Sequence, residues 1–136
     1  MGIGGKAFPQ QAIDDIRYHG IESNPYPLPN DDEEVQRLDD LQFVIRSLLG
    51  GNVIAPISPR ATNIVDLGTG SGAWCIEVAD QFPNTFVRGI DLSPIQPTIV
   101  PNNCDFVVHD INEGLPFDDC SIDLVQSRFE VIILNL

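Results

Sequence analysis

The chain has 136 residues, 43% hydrophobic and 20% charged, which suits one folded domain with a core of its own and excludes a largely disordered chain. Twenty acidic residues against seven basic ones leave a net charge of −13 with no basic stripe, so a surface that binds nucleic acid directly is not expected. No apolar run has the length of a membrane span.

The start of the chain, Met1 to Lys6, lacks the apolar core of a signal peptide, and Lys6 stands where a myristoylation signal wants Ser or Thr. Cys75, Cys104 and Cys120 are odd in number and widely spaced, without a CxxC or Cys/His cluster. They read as free thiols in small core positions, in a reducing compartment, and no metal site is expected. The setting these features imply is cytoplasmic or nuclear.

Residues 1–30 read as a lead segment and 31–136 as the domain. Ile13 and Ile16 within Gln10–Tyr18 predict a short helix, after which Pro25, Pro27 and Pro29 hold the chain extended. A long helix follows. Asn30 or Asp31 caps it, the acids from Asp31 to Glu34 fill its first turn, and Gly50-Gly51 stops it. Val35, Leu38, Leu41, Ile45 and Leu48–Leu49 form one apolar stripe along it.

From residue 62 strands and helices alternate. Asn63–Leu67 is the first strand, Trp74–Phe82 a helix with Cys75, Val78, Ala79 and Phe82 on one face, and Thr85–Ile90 the second strand. Ser93 caps a brief turn or helix that Pro97 interrupts. Cys104–Val108 and Ile122–Gln126 are the third and fourth strands. Crossovers of about a dozen residues require a parallel sheet, and right-handed crossovers place helices on its two faces.

The run Asp66-Leu67-Gly68-Thr69-Gly70-Ser71-Gly72 joins the first strand to its helix. Glycine permits positive φ there and lets backbone approach a ligand, while the helix behind it offers free N–H groups. Three acids join the turn at the carboxyl ends of the strands, where open α/β sheets bind ligands. Asp91 can accept from both hydroxyls of a ribose, Asp110 from an adenine amino group, and Asp66 can meet a cationic amino group. A nucleoside ligand fits this set. Gly68, Gly70 and Ala73 also satisfy the dinucleotide pattern G-x-G-x-x-G/A, with Asp91 near the expected distance, which keeps NAD open as an alternative. The helical material ahead of the first strand and the tightly spaced glycines suit a ligand with an amino acid tail better than a pyrophosphate.

The strings Asn63 to Trp74 (NIVDLGTGSGAW) and Gly89 to Pro97 (GIDLSPIQP) resemble the fungal LaeA-like S-adenosylmethionine-dependent methyltransferases. Tyr26 to Asp32 with its following helix, and Leu115 to Phe129 (LPFDDCSIDLVQSRF), resemble the same family's lead segment and fourth-strand region. The resemblance covers about residues 17–130. It implies an α/β, Rossmann-like parallel sheet of order 3-2-1-4, flanked by helices and preceded by a helical lead segment. It implies S-adenosylmethionine as cofactor, with Asp66, Gly68, Thr69 and Gly70 around its methionine part. Asp91 would hold the ribose, Leu92 would lie against the adenine, Asp110 and Ile111 would bound the adenine edge, and Ser127 would lie near the amino acid end. Tyr18 or Tyr26 would help close the pocket.

His109 reads as a strand-end histidine, His19 has no identifiable partner, and Arg128 and Glu130 read as surface charges. Trp74 either packs in the core or touches the cofactor. The family domain continues past its fourth strand, whereas this sequence reaches Leu136, so the C-terminal strands are expected to be lacking. The fourth strand would then be an open edge, a place for association with a like or unlike chain. The expected activity is methyl transfer to a small-molecule or protein acceptor in secondary metabolism or its regulation. The alternative is a cofactor-binding or partner subunit without turnover.

Overall fold

The computed structural model describes residues 31–128, together with the backbone of 10–13 and 16–19. Strands β1 (Gln10–Ile13) and β2 (Ile16–His19) pair antiparallel, with Gln11 opposite Tyr18 and Ala12 opposite Arg17. A hairpin therefore replaces the short helix expected over Gln10–Tyr18, and the lead segment is not helical there. Two acidic residues interrupt a segment too short to nucleate a helix alone, while a two-residue connection suits a hairpin.

Helix α1 (Asp32–Leu49) begins at Asp31, whose carboxylate accepts from the Glu34 N–H at 3.0 Å, and ends at Gly50, which takes φ 73°. Its acidic first turn places Asp32, Glu33 and Glu34 at the positive end of the helix dipole. The apolar stripe faces protein only as far as Ile45. Leu48 is 76% exposed and Leu49 is exposed too, so the expected stripe is shorter than its spacing suggested.

Strands β3 (Asn63–Leu67), β4 (Phe86–Asp91), β5 (Cys104–Val108) and β6 (Leu124–Ser127) form one parallel sheet in the order β5-β4-β3-β6. This is the expected 3-2-1-4 order. The boundaries of β3 and β5 match the expectation, while β4 and β6 run slightly later in the chain. Helix α2 (Ala73–Gln81) crosses from β3 to β4 and packs Trp74, Cys75, Val78 and Ala79 against Ile64, Val87 and Cys104, with Phe106 and Leu124 at the margin. The segment after Ser93 is a bend and not a helix, as Pro94 and Pro97 deny it a continuous ladder.

The opposite sheet face carries a bidentate ion pair across neighbouring strands, Arg88 Nε and Nη2 each 2.6 Å from the Asp105 carboxylate. The Phe86 and Phe117 rings lie against the guanidinium. Phe117 belongs to the connection from β5 to β6, which also contains a single turn of 3-10 helix at Ile111–Glu113. Among the described residues β6 is an edge strand. No described helix is long and apolar enough to cross a membrane, and no described acidic, Cys or His cluster suits a metal ion.

Asp123 pins the start of β6 to the start of β3. Its carboxylate accepts from the N–H groups of Thr62 (2.7 Å) and Asn63 (3.0 Å), and these bonds hold its pKa below the ordinary aspartate value. A lowered folded pKa gives stability that is complete above the unfolded value and lost as pH falls through the folded one. Asp123→Ala is thus expected to lower the melting temperature at neutral pH, and its gap from the wild type is expected to close as pH falls below about 4. Equal gaps at neutral pH and at about pH 2 would contradict this role.

Cys75 and Cys104 are buried as expected, but Cys120 is exposed, in a turn where it takes φ 60°. Burial, helped by the nearby Asp66 charge, raises Cys75 well above the usual thiol pKa, and burial raises Cys104 to about 11. Labelling with a thiol reagent at about pH 8 is expected to modify one cysteine of three in the native protein and all three after denaturation.

Candidate functional site

The glycine turn leaves the end of β3 and enters α2. Gly68, Gly70 and Gly72 all take positive φ, at 70°, 59° and 83°. At Gly72 the requirement is twofold, since it is the N-cap of α2 in the left-handed region and a Cβ there would overlap the Phe106 ring. The turn is fastened to the end of β4. The Gly68 and Thr69 N–H groups both donate to the Ile90 carbonyl, at 2.8 and 3.0 Å. Asp91 Oδ2 accepts from the Gly70 N–H at 2.8 Å, and Oδ1 from the Ser93 N–H at 3.0 Å. The Gln96 side-chain amide then donates to the Gly70 carbonyl at 2.6 Å and to the Ser93 carbonyl at 2.9 Å.

Beneath the turn lies Asp66, 5% exposed. The Cys75 thiol lies 3.3 Å from the Thr69 hydroxyl and donates to Asp66 Oδ2 at 3.8 Å. Its raised pKa keeps the sulfur protonated, hence a donor to that carboxylate.

A cavity of about 330 Å³ opens between the turn, the apolar flank of α1 and the end of β6. Such a volume is at the lower end of the range for small-molecule sites. Asp66, Gly68, Thr69, Gly70 and Asp91 line it, so five of the expected cofactor residues converge. Leu92, Asp110, Ile111 and Ser127 do not line it. Asp110 is buried and turned onto its own following turn, where Oδ1 accepts from the Asn112 N–H and side-chain amide, both at 2.9 Å. The Ser127 hydroxyl, on an exposed residue, donates to the Leu67 carbonyl at 3.2 Å. His109 directly follows β5, with Nε2 2.7 Å from the Gly114 carbonyl.

Trp74 packs in the core, one of the two readings open for it, and also lines the cavity. It is 5% exposed, with its indole N–H donating to the Asn52 carbonyl at 2.8 Å. Arg128 corrects its reading as a surface charge. It lines the cavity, and Nη2 donates to the same Asn52 carbonyl at 2.7 Å. Arg37, Leu38, Leu41, Gln42 and Ile45 of α1 also face the cavity. The apolar members were legible only as a core stripe, and no local signal ties them to a turn about thirty positions later. Tyr26 and Glu130 lie outside the described residues, as do the side chains of Tyr18 and His19.

The methyltransferase domain family matches residues 64–135, more than half of the chain. The chain belongs to that family. Its similarity lies with fungal LaeA-like methyltransferases. It is 42% identical over 115 residues to the methyltransferase pytC of Aspergillus terreus, covering 83% of this chain and 35% of pytC. It is 44% identical over 122 residues to the secondary metabolism regulator laeA of Aspergillus niger, covering 88% of this chain and 30% of laeA. The chain thus spans about a third of the length of these relatives. Among solved structures it is similar to a chain from the complex of the Haloferax volcanii Trm112 methyltransferase activator with a methyltransferase, at TM-score 0.57 and 27% identity, over 71% of this chain and 43% of that one.

Gly72→Ala tests the turn. A left-handed φ costs a non-glycine residue about 1–2 kcal/mol, and the overlap with Phe106 adds to it. A loss above about 2 kcal/mol in denaturant unfolding is expected. A change under about 0.5 kcal/mol would show that the ring and the turn relax freely.

Proposed function

We propose that this chain forms the S-adenosylmethionine-binding part of a methyltransferase of fungal secondary metabolism or its regulation. The observation that carries the proposal is the convergence of Asp66, Asp91 and the glycine turn on one cavity. The donor set suits that cofactor. Asp91 accepts a backbone N–H at each oxygen, and a carboxylate has about four acceptor sites, so one group can both stiffen the turn and meet a ribose diol. Asp66 offers a carboxylate to an ammonium, directly or through water. Asp66, a buried carboxylate directly under the glycine turn, would repel a pyrophosphate where a dinucleotide would place it, which disfavours NAD.

When bound, the cofactor supplies a methyl group on a sulfonium. This chain's contribution is to orient that group and keep water from it, with the apolar flank of α1 as one wall. The names of the fungal relatives support the link to secondary metabolism.

Calorimetric titration with S-adenosylmethionine and S-adenosylhomocysteine tests the reading, and Trp74, the one tryptophan of the chain, gives a fluorescence signal from the cavity itself. Binding of both ligands is expected, with no competition from NADH. Asp91→Ala is expected to weaken binding by about tenfold or more, the size of a charge-assisted hydrogen bond. A folded sample that binds neither ligand would overturn the proposal.

A further inference from the structure

Two arginines line the cavity among the described residues, and they differ in what they meet. Arg37 is held by Glu34 in a bidentate pair, Nε to Oε2 at 2.7 Å and Nη2 to Oε1 at 2.6 Å, and the Glu34 side chain is only 8% exposed. Arg128 meets neutral oxygens. Nη2 donates to the Asn52 carbonyl at 2.7 Å and Nη1 to Gln42 Oε1 at 3.5 Å, and no described carboxylate lies within ion-pair distance of it. Its neighbours are fixed. Asn52 is 7% exposed, its carbonyl also accepts from Trp74, and its side-chain oxygen accepts from the Gln42 amide at 2.8 Å. A half-buried guanidinium has thus been anchored at one edge while most of its five N–H donors are left for something else.

The position of this group follows from the sheet. Leu67 and Ser127 are paired residues at the ends of β3 and β6. Arg128 follows that pair on one strand as Gly68 follows it on the other. The cation therefore stands at the mouth of the glycine turn, in the cavity that also contains Asp66. A cavity that presents one uncompensated cation and a buried carboxylate is complementary to a zwitterion. A planar guanidinium recognises a carboxylate through paired N–H donors.

We infer that Arg128 recognises the carboxylate of an α-amino acid tail, with Asp66 facing the ammonium of the same tail. The inference rests on the cofactor reading above and adds the group that selects the carboxylate end. Arg37 does not take this role, because Glu34 already neutralises it. The weak 3.5 Å contact to Gln42 is the one that yields when the guanidinium turns onto a ligand, while the Asn52 bond holds its pivot.

The test compares S-adenosylmethionine with decarboxylated S-adenosylmethionine, which differ in the carboxylate alone, by calorimetry and Trp74 fluorescence. Wild type is expected to prefer the carboxylated ligand by about tenfold or more. Arg128→Gln is expected to lose that preference while its affinity for the decarboxylated ligand stays within about threefold, and Arg128→Lys to keep part of it. If Arg128→Gln weakens both ligands equally, the residue acts only through Asn52 and the inference fails while the cofactor reading stands. A wild type that binds both ligands equally overturns the inference without any variant. A wild type that binds neither overturns the cofactor reading and this inference together.

Discussion

Everything at this site hangs on how the end of β4 grips the glycine turn. A turn with three residues at positive φ has little to hold it from within. Here the Ile90 carbonyl takes two of its N–H groups, and the Gly70 peptide is held at both ends, by the Asp91 carboxylate on its N–H and the Gln96 amide on its carbonyl. The grip is possible because β3 and β4 are adjacent and parallel, so both end at the same rim. It fixes the N-terminus of α2, and with it Trp74 and Cys75, whose burial closes the core under the turn. Burying Asp66 there is costly unless its oxygens are satisfied, and the Cys75 thiol supplies one such contact.

The second wall of the cavity comes from far away in sequence. Helix α1 is held over the turn by polar links at its middle and end. Gln42 donates to Asn52 and to Glu77 of α2, and Arg46 pairs with Glu77 at 3.0 Å. Asn52 joins this network to Trp74 and Arg128, so one carbonyl oxygen connects the helix-to-sheet linker, the core tryptophan and the end of β6. Surface ion pairs are weak singly, so the order of the wall comes from the network and from Leu38, which lies close against Gly70, while Leu41 and Ile45 line the cavity beside it. The same linkage means that a ligand displacing Arg128 acts on α1 as well, through Gln42.

What was legible in the sequence was whatever local chemistry dictates. The four strands, their order, the cap at Asp31 and the stop at Gly50 follow from apolar runs, crossover length and capping residues. So does the convergence of Asp66 and Asp91, because the carboxyl ends of adjacent parallel strands share one rim. What was not legible depends on tertiary placement. The hairpin at residues 10–19 has apolar residues at a spacing that fits either a helix or paired strands, and pairing decided it. Asp110 lies two residues past the end of β5 and not at its end, and its side chain caps the next turn, a choice made by the backbone that follows it. Arg128 looked like any charged residue after an edge strand, and only the position of Asn52, 76 positions earlier, turns it inward.

The electrostatics of the whole chain bear on the proposed ligand. A net charge of −13 favours cations, and Asp66 and Asp91 carry that sign into a cavity that also contains Arg128 and the Glu34-paired Arg37. A sulfonium cofactor carries one more positive charge than its demethylated product. Under the proposed reading the acidic field therefore favours the donor over the product, while Arg128 acts on a carboxylate that both share. Recognition of the tail and discrimination between donor and product would then be carried by different groups. The arginine would set how tightly either ligand is held, and the surrounding carboxylates would set which of the two leaves more readily.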